Sequence, residues 1–272
     1  MKMKIQWIGT AAAEGWPAVF CQCQACRRAA LLGGKNIRTR LGAIIDDILL
    51  LDLNPDLYAQ KLHFGLDLCR IRDILITHNH GDHLTPLYME FRNPAYYGKS
   101  LPRLPVYGPW DIAESLKPYE NYIEMHVVKS GDVFDTSMHH IMTLPAIHSA
   151  VNGKMYLIER DGKSLLYLHD TGFPSQEALD LILKHETHPI DLVSMDCTYG
   201  PNPLPPGYTS HMGFTENIRL KERFLKDGIA DEHTRFVAAH FSHNGKLLHE
   251  EMCEAMKPYG IEIAYDGMTI EI

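Results

Sequence analysis

The chain has 272 residues, of which 45% are hydrophobic and 22% are charged, so it has the composition of a folded globular protein. Its 34 acidic residues outnumber its 26 basic ones, which gives a net charge of −8 and leaves no Lys/Arg run suited to a nucleic-acid backbone. No segment approaches the ~20 consecutive apolar residues of a membrane span, and the N-terminus lacks the features of a signal peptide. We therefore expect a cytoplasmic protein that binds neither nucleic acid nor membrane.

Short strand patterns alternate with amphipathic helical patterns along the chain. Strands are predicted at residues 4–9, 41–46, 48–53, 71–77, 154–159, 164–169, 190–195, 235–239 and 261–265. Helices are predicted at residues 55–62, 84–92, 110–116, 175–184, 214–225 and 246–256. Turn signals at Asp46-Asp47 and Asp161-Gly162 add hairpins to this alternation. The mixture favours an α/β sandwich, and residues 1–272 show no linker or repeat that would divide a single domain.

One short segment directly after an apolar strand pattern contains four metal-ligand side chains. It reads Thr77-His78-Asn79-His80-Gly81-Asp82-His83 and follows Ile74-Leu75-Ile76. His78 and His80 are two residues apart, so in extended backbone they project to the same side. Gly81 allows the chain to turn, which lets Asp82 and His83 face a second ion. Imidazole and carboxylate ligands suit Zn, Mn or Fe, so this segment predicts a metal site.

Three further polar residues follow apolar strand patterns elsewhere in the chain. His148 comes after Leu144-Pro145-Ala146-Ile147, Asp170 after Leu166-Tyr167-Leu168-His169, and His240 after Phe236-Val237-Ala238-Ala239. Sites on sheet scaffolds are usually built where strands lead into loops. Together with the first segment, these residues complete a set of seven possible ligands.

The order His-x-His-x-Asp-His, a lone His, a lone Asp and a late His resembles the metallo-β-lactamase fold superfamily. This resemblance implies an αβ/βα four-layer sandwich with two mixed β-sheets and two divalent ions at one edge. It places one ion on His78, His80 and His148, the other on Asp82, His83 and His240, and Asp170 between both. It also assigns Asp52, which ends a predicted strand, to support of the metal-binding loop, where it would orient a ligand histidine.

Three closely spaced cysteines form a second candidate metal site. Cys21, Cys23 and Cys26 offer three thiolates, whereas a structural zinc usually has four ligands. His243, three residues after His240, is the candidate for the fourth. One structural Zn on these residues would hold the N-terminal loop, about residues 15–40, next to the active site.

A narrower resemblance rests on the cysteine loop, Met195-Asp196-Cys197, His240-x2-His243 and Tyr265-Asp266-Gly267-Met268. Together these segments resemble the phosphoribosyl cyclic phosphodiesterases of the carbon–phosphorus lyase pathway, which belongs to phosphonate metabolism. The resemblance implies a binuclear Mn- or Zn-dependent phosphodiesterase that converts 5-phosphoribosyl 1,2-cyclic phosphate to ribose 1,5-bisphosphate. It further implies a bridging hydroxide as nucleophile, Asp82 and His211 as catalytic residues with His211 as general acid, and a homodimer.

Two other functions stay open at this point. Another hydrolase of the same fold is possible, but a nuclease predicts a basic RNA-gripping arm, and a lactonase or thioesterase does not require the cysteine loop. A non-hydrolytic carrier, similar to a relative in pyrroloquinoline quinone biosynthesis, predicts an incomplete ligand set. All seven catalytic ligands are present in this sequence.

The histidines outside these motifs are expected to have other roles. His169, next to Asp170, should point to the opposite side of its strand and serve the structure. His139, His140, His185 and His188 show no ligand pattern and are expected at the surface.

Overall fold

The structure, a computed structural model, describes residues 2–272. These residues form fourteen strands and seven α-helices, together with six short 3-10 helices. Strands β1 to β14 are, in order, Lys4–Gly9, Gly42–Ile45, Leu49–Leu51, Asp73–Leu75, Leu104–Gly108, Ile123–Val127, Val133–Asp135, His140–Pro145, Lys154–Arg160, Lys163–Leu168, Leu192–Asp196, Arg235–Ala239, Glu262–Ile263 and Thr269–Glu271. Helices α1 to α7 are Gln24–Leu32, Leu57–Phe64, Pro94–Tyr97, Trp110–Leu116, Gln176–His185, Phe214–Asp227 and His249–Met256. Within residues 2–272, none of the helices has the length and apolar character that crossing a membrane requires.

The strands form two mixed seven-stranded sheets, which confirms the predicted fold class. The first sheet has the order β14-β1-β2-β3-β4-β5-β6, and the second has the order β13-β12-β11-β10-β9-β8-β7. In each sheet an antiparallel half leads into a parallel half. The turn at Asp46-Asp47 has φ values of 51° and 62°, and the turn at Asp161-Gly162 has 51° and 75°. Two left-handed central residues suit the right-handed twist of the strands that they connect, as in type I′ hairpins.

Alternating side chains place the two sheets face to face between outer helices. Leu165 and Tyr167 of β10 face the first sheet, whereas Leu166 and Leu168 face the helices on the other side. This period of two gives each sheet two buried faces. One apolar layer fills the space between the sheets, and two further layers pack the outer faces under the helices.

A polar link joins the two sheets within this inner layer. The indole Nε1 of Trp7 donates to Oγ of Ser194 at 3.1 Å, and Nε2 of His169 lies 2.7 Å from the same oxygen. Burial lowers the pKa of His169 to about 3, so its ring is neutral. The contact fits the structural role expected for His169.

Two predicted helices differ from the observed ones. In the segment predicted at residues 84–92, Tyr88 and Asn93 donate their backbone N–H groups three residues back, so Pro86–Arg92 is a 3-10 helix. The helix predicted to begin at Lys246 begins at His249, because Lys246 has a φ of 65° and cannot continue a right-handed helix.

Several strands lack the pattern that would predict them. Pro105 interrupts Leu104–Gly108, and the edge strands Ile123–Val127 and Val133–Asp135 are largely exposed or half-buried. Edge strands bury little surface, so their sequences carry little apolar alternation. Their pairing with β5 and β8 is decided by neighbours distant in the chain.

Candidate metal centre

Six strands of the two sheets lead to the candidate ligands and to the side chains behind them at one edge of the sandwich. In the first sheet β3 and β4 are parallel, and in the second sheet β8, β10, β11 and β12 share one direction. The candidate residues lie in the segments that follow the C-terminal ends of these strands or at the last strand residue. The carboxyl ends of parallel strands meet at one edge, which brings together residues far apart in the chain.

Three imidazoles form the first part of the cluster. One nitrogen from each of His78, His80 and His148 lies within 4.8 Å of the others. Nδ1 of His80 is 3.2 Å from Nε2 of His148. Burial and the neighbouring His83 hold the pKa of His78 well below its ordinary value, which keeps this ring in the neutral form that binds metals.

Asp82, His83 and His240 form the second part, and Asp170 lies between the two. Oδ2 of Asp170 is 2.9 Å from Nε2 of His83 and 3.1 Å from Nε2 of His240. Its other oxygen, Oδ1, is 3.6 Å from Nε2 of His148. A single carboxylate therefore faces both groups of imidazoles, in the position that the family resemblance implies.

The polar atoms at the centre of this cluster fit divalent metal ions. Nε2 of His78, His83 and His240 and Oδ2 of Asp170 are buried and are not paired in hydrogen bonds; where Oδ2 approaches Nε2 of His83 and His240, two electron-pair donors face each other. Buried polar groups are otherwise nearly always hydrogen-bonded, so several such atoms in one place suit the binding of a cation. Imidazole nitrogens and carboxylate oxygens are the donor set that Zn and Mn accept.

Side chains behind the ligands fix their orientation. Asp52 accepts a hydrogen bond from Nδ1 of His83 at 2.7 Å and another from the backbone N–H of Thr77 at 2.7 Å. Protonation of His83 at Nδ1 turns its Nε2 lone pair toward Asp170. Asp52, Asp170 and His240 all have φ between 50° and 63°, a conformation that costs free energy outside glycine. Strain at three of these positions is typical of a functional site.

Asp196 is a functional residue to which the sequence analysis assigned no role. It is fully buried at the end of β11 and accepts a hydrogen bond from Nδ1 of His211 at 3.0 Å. Its Oδ2 also lies 3.3 Å from Nδ1 of His240, whose closer partner is Thr198 Oγ1 at 2.7 Å. The sequence did contain a signal for Asp196. It is a polar residue at the end of a strand, and that strand lies between the two that lead to Asp170 and His240.

His211 lies at the margin of the cluster. Its ring stands 5.6 Å from that of His240 and 4.9 Å from that of His148. Burial acts to lower its pKa, but the Asp196 carboxylate outweighs burial, and the net pKa of His211 is raised above its ordinary value. The imidazole is thereby favoured in its protonated form next to the candidate ligands.

The three cysteines meet His243 in a separate group. Sγ of Cys21 and Sγ of Cys23 each lie 3.6 Å from Nδ1 of His243, and Cys26 completes a set within 4.8 Å. Cys23 is the N-cap of α1 and accepts from the backbone N–H of Cys26, so this helix presents two of the thiols. Three sulfurs and one imidazole nitrogen match a structural zinc site.

One histidine expected at the surface is buried. His139 is 2% exposed, and its Nε2 lies 2.8 Å from Oδ2 of Asp46, a partner 93 positions away in the chain. The prediction was wrong because a single sequence does not reveal a partner at that distance. His140 and His185 remain partly exposed and stack on each other with ring centroids 5.6 Å apart.

Comparison with known proteins identifies the family. The model of a beta-lactamase superfamily domain matches residues 48–264, so the chain belongs to that superfamily of metal-dependent hydrolases. Among solved structures, a diphosphatase from the PhnP family matches with a TM-score of 0.77 and 23% identity over 100% of this chain and 98% of that one. Zinc-bound PqqB from Methylobacterium extorquens matches with a TM-score of 0.77 and 18% identity over 99% and 100% of the two chains. These similarities confirm the metallo-β-lactamase fold.

Two curated relatives are similar over part of the chain. A ribonuclease Z from Picosynechococcus is 30% identical over 120 residues, covering 41% of this chain and 38% of that protein. A ribonuclease Z from Acaryochloris marina is 29% identical over 110 residues, covering 38% of this chain and 35% of the relative. The matches thus span little more than a third of each relative's length.

Proposed function

We propose that this protein is a metal-dependent phosphodiesterase that hydrolyses a small, cyclic phosphodiester. The observation that carries the proposal is the Asp196–His211 pair at the margin of the ligand cluster. Hydrolysis of an alkyl phosphodiester expels an alkoxide, which needs a proton from a general acid. A protonated imidazole next to the candidate ligands supplies that proton.

The residues at the edge of the sandwich would hold two divalent ions, one on each side of Asp170. His78, His80 and His148 suit the first ion, and Asp82, His83 and His240 suit the second. Bound Mn or Zn would supply an activated water and would neutralise charge on the phosphoryl oxygens. As a ligand of the second ion, Asp82 would also belong to the catalytic residues that the resemblance implies.

The other polar side chains act on these ligands and on the leaving group. Asp52 orients His83, and Thr198 together with Asp196 orients His240. Asp196 also raises the pKa of His211 and accepts a hydrogen bond from its Nδ1. Nε2 of His211, which has no hydrogen-bond partner among residues 2–272, is then the atom that donates its proton to the leaving oxygen.

The alternatives differ from this proposal in what the site requires. A carrier needs no general acid. In this protein, however, the buried Asp196 accepts a hydrogen bond from His211, an arrangement that suits acid catalysis. Processing of RNA by a relative of ribonuclease Z would require a surface for the polyanion, and the net charge of this chain is −8. The specific substrate implied by the resemblance, 5-phosphoribosyl 1,2-cyclic phosphate, stays a prediction, as do the structural zinc and the homodimer.

Turnover of the purified protein tests the proposal. Protein loaded with Mn or Zn would be assayed on 5-phosphoribosyl 1,2-cyclic phosphate, a 2′,3′-cyclic nucleotide and bis-nitrophenyl phosphate. We expect cleavage of at least one cyclic ester, and loss of that activity together with one bound ion in Asp170→Asn. The exposed Asp135→Asn is the matched control and should retain both. Absence of turnover on all three esters with both ions bound would overturn the proposal.

A further inference from the structure

A cavity of about 650 Å³ opens next to His211. Its walls come from the loop after β11, from the segment after His240, and from Glu14 near the cysteine loop. The volume falls within the ~300–1,000 Å³ of small-molecule sites. Under the proposed function His211 protonates the leaving oxygen, so the cavity beyond it receives the leaving alcohol of the substrate.

The charge of the cavity disfavours a second phosphate on that alcohol. Its lining contains the carboxylate of Glu14 and no lysine or arginine; its two imidazoles are His211, which serves the leaving oxygen, and His243, which belongs to the cysteine cluster. Oε1 of Glu14 accepts a hydrogen bond from Oγ of Ser242 at 2.5 Å and lies 3.7 Å from Nε2 of His243. Oε2 has no partner among residues 2–272, and the side chain is 32% exposed. An open carboxylate oxygen accepts N–H or O–H donors and repels anions.

The rest of the lining offers aromatic rings and amides. The rings of Tyr199 and Tyr208 lie 5.1 Å apart, and Tyr208 is within 22° of parallel to His211 at 6.2 Å. Asn202 donates from Nδ2 to the carbonyl of Asn244 at 2.8 Å, which leaves its Oδ1 as an acceptor. Tyrosine rings bind planar groups by stacking, and every nucleobase has such a face.

We propose that this cavity is a nucleobase subsite, and that the substrate is a phosphodiester whose leaving alcohol is a nucleoside. The proposal rests on the proposed hydrolysis for the position of the reacting phosphate. A second phosphate on the sugar would require a cation in addition to His211, and a plain alkyl group would require no carboxylate. Guanine is the base that presents two adjacent N–H donors to a carboxylate such as Glu14, while its plane stacks on Tyr208.

The chemical step is an ordinary hydrolysis. An oxygen from water forms a bond to phosphorus, and the bond between phosphorus and a ribose oxygen breaks. That ribose oxygen takes the proton of His211, and the proton lost by water restores the imidazolium. Hydrolysis of a nucleoside 2′,3′-cyclic phosphate therefore gives a single product, a nucleoside monophosphate.

Three cyclic esters that differ in their distal groups test the substrate class. These are guanosine 2′,3′-cyclic phosphate, methyl riboside 2,3-cyclic phosphate and 5-phosphoribosyl 1,2-cyclic phosphate. We expect kcat/KM to be at least about tenfold higher for the guanosine ester than for either of the others, as one good hydrogen bond or stacking contact provides. Equal rates with the methyl riboside ester, or preference for the phosphorylated sugar, would overturn the inference and leave the phosphodiesterase proposal standing.

Binding of guanosine alone tests the subsite separately from hydrolysis. Calorimetry with guanosine and with methyl riboside would be performed on protein with and without its active-site ions. We expect guanosine to bind and methyl riboside not to bind. Glu14→Gln should weaken the binding of guanosine about tenfold, while the exposed control Glu232→Gln should leave it unchanged. Saturable binding in protein that hydrolyses none of the esters would sustain the subsite and refute the hydrolysis. Guanosine binding no tighter than methyl riboside, or insensitive to Glu14→Gln, would refute the subsite.

Discussion

His211 and Asp196 form a proton-donating pair at the margin of the ligand cluster. A neutral imidazole would serve equally well as a ligand or a structural residue, but a protonated one is suited to general acid catalysis. The Asp196 carboxylate favours that protonated form against the opposing effect of burial. Burial acts to raise the pKa of Asp196, but His211 outweighs it and the net pKa is lowered, so each partner favours the charged form of the other.

Replacing the general acid should affect leaving groups unequally. His211→Ala should reduce kcat/KM for a cyclic alkyl phosphodiester by about 10²–10⁴-fold, the usual contribution of a general acid. Bis-nitrophenyl phosphate should lose far less, because nitrophenolate departs without a proton. Steady-state kinetics on both esters measures the difference, with the exposed His233→Ala as control. Equal losses on the two substrates would exclude the general-acid role.

The turn between β2 and β3 connects several elements through one carboxylate. Asp46 accepts hydrogen bonds at 2.8 Å from the backbone N–H of Lys4, from Nε2 of His139 and from the guanidinium of Arg160. Lys4 belongs to the first sheet and Arg160 to the second, so the turn holds the two sheets together at the edge opposite the metal centre. Burial raises the pKa of Asp46, but these donors outweigh it, and the net shift is downward.

Removing this charge should make stability depend less on pH. A carboxyl group whose pKa is lower in the folded state than in the unfolded state stabilises the fold above the unfolded value of ~3.9, and this contribution disappears as pH falls through the folded value. Asp46→Asn keeps a side chain that tolerates the left-handed turn but loses about 1–2 kcal/mol of stability at pH 7. The difference from the unmodified protein should shrink below about pH 4.

Denaturant unfolding at pH 7 and near pH 3.5 would measure this effect. Asp47→Asn is the matched control, since Asp47 occupies the same turn but is 38% exposed and contacts Lys4 and Arg70 at the surface. Its effect should be smaller because water and salt screen exposed ion pairs. A destabilisation by Asp46→Asn that persists undiminished at low pH would contradict the ionic explanation.

The cysteine cluster joins distant parts of the chain. Cys21 and His243 are 222 positions apart, and Ser242, next to His243, contacts Glu14 in the wall of the proposed subsite. A zinc ion on this cluster would therefore hold the N-terminal loop against the second sheet. It would also fix one wall of the cavity next to the metal centre.

Loss of one thiol should release this ion selectively. Cys23→Ser should reduce the zinc content by one equivalent while the ions at the sandwich edge are retained. A bound ligand at ~1,000 times its Kd stabilises by about 4 kcal/mol, and at ~2–4 °C per kcal/mol the Tm should fall by about 10 °C. Metal analysis and thermal unfolding would measure both effects, with the exposed Cys69→Ser as control. Unchanged zinc content in Cys23→Ser would contradict the assignment.

Local chemistry made much of this protein predictable. Strand and helix patterns anticipated Lys4–Gly9, Trp110–Leu116 and Arg235–Ala239 at their observed bounds. The spacing of His78, His80, Asp82 and His83 after an apolar strand identified a ligand set. These features are predictable because turn chemistry, periodicity and ligand spacing act over a few residues.

Other features depended on residues that only folding brings together. His139 is buried because Asp46 receives it, and Leu104–Gly108 forms a strand because β4 and β6 pair with it. The sequence by itself determined which donor atoms were available and that the chain would form an α/β sandwich. Tertiary structure decided that Asp170 faces both histidine groups, that Asp196 holds His211, and that Glu14 reaches the same cavity. Such contacts depend on the alignment of strand ends across two sheets, which local sequence does not encode.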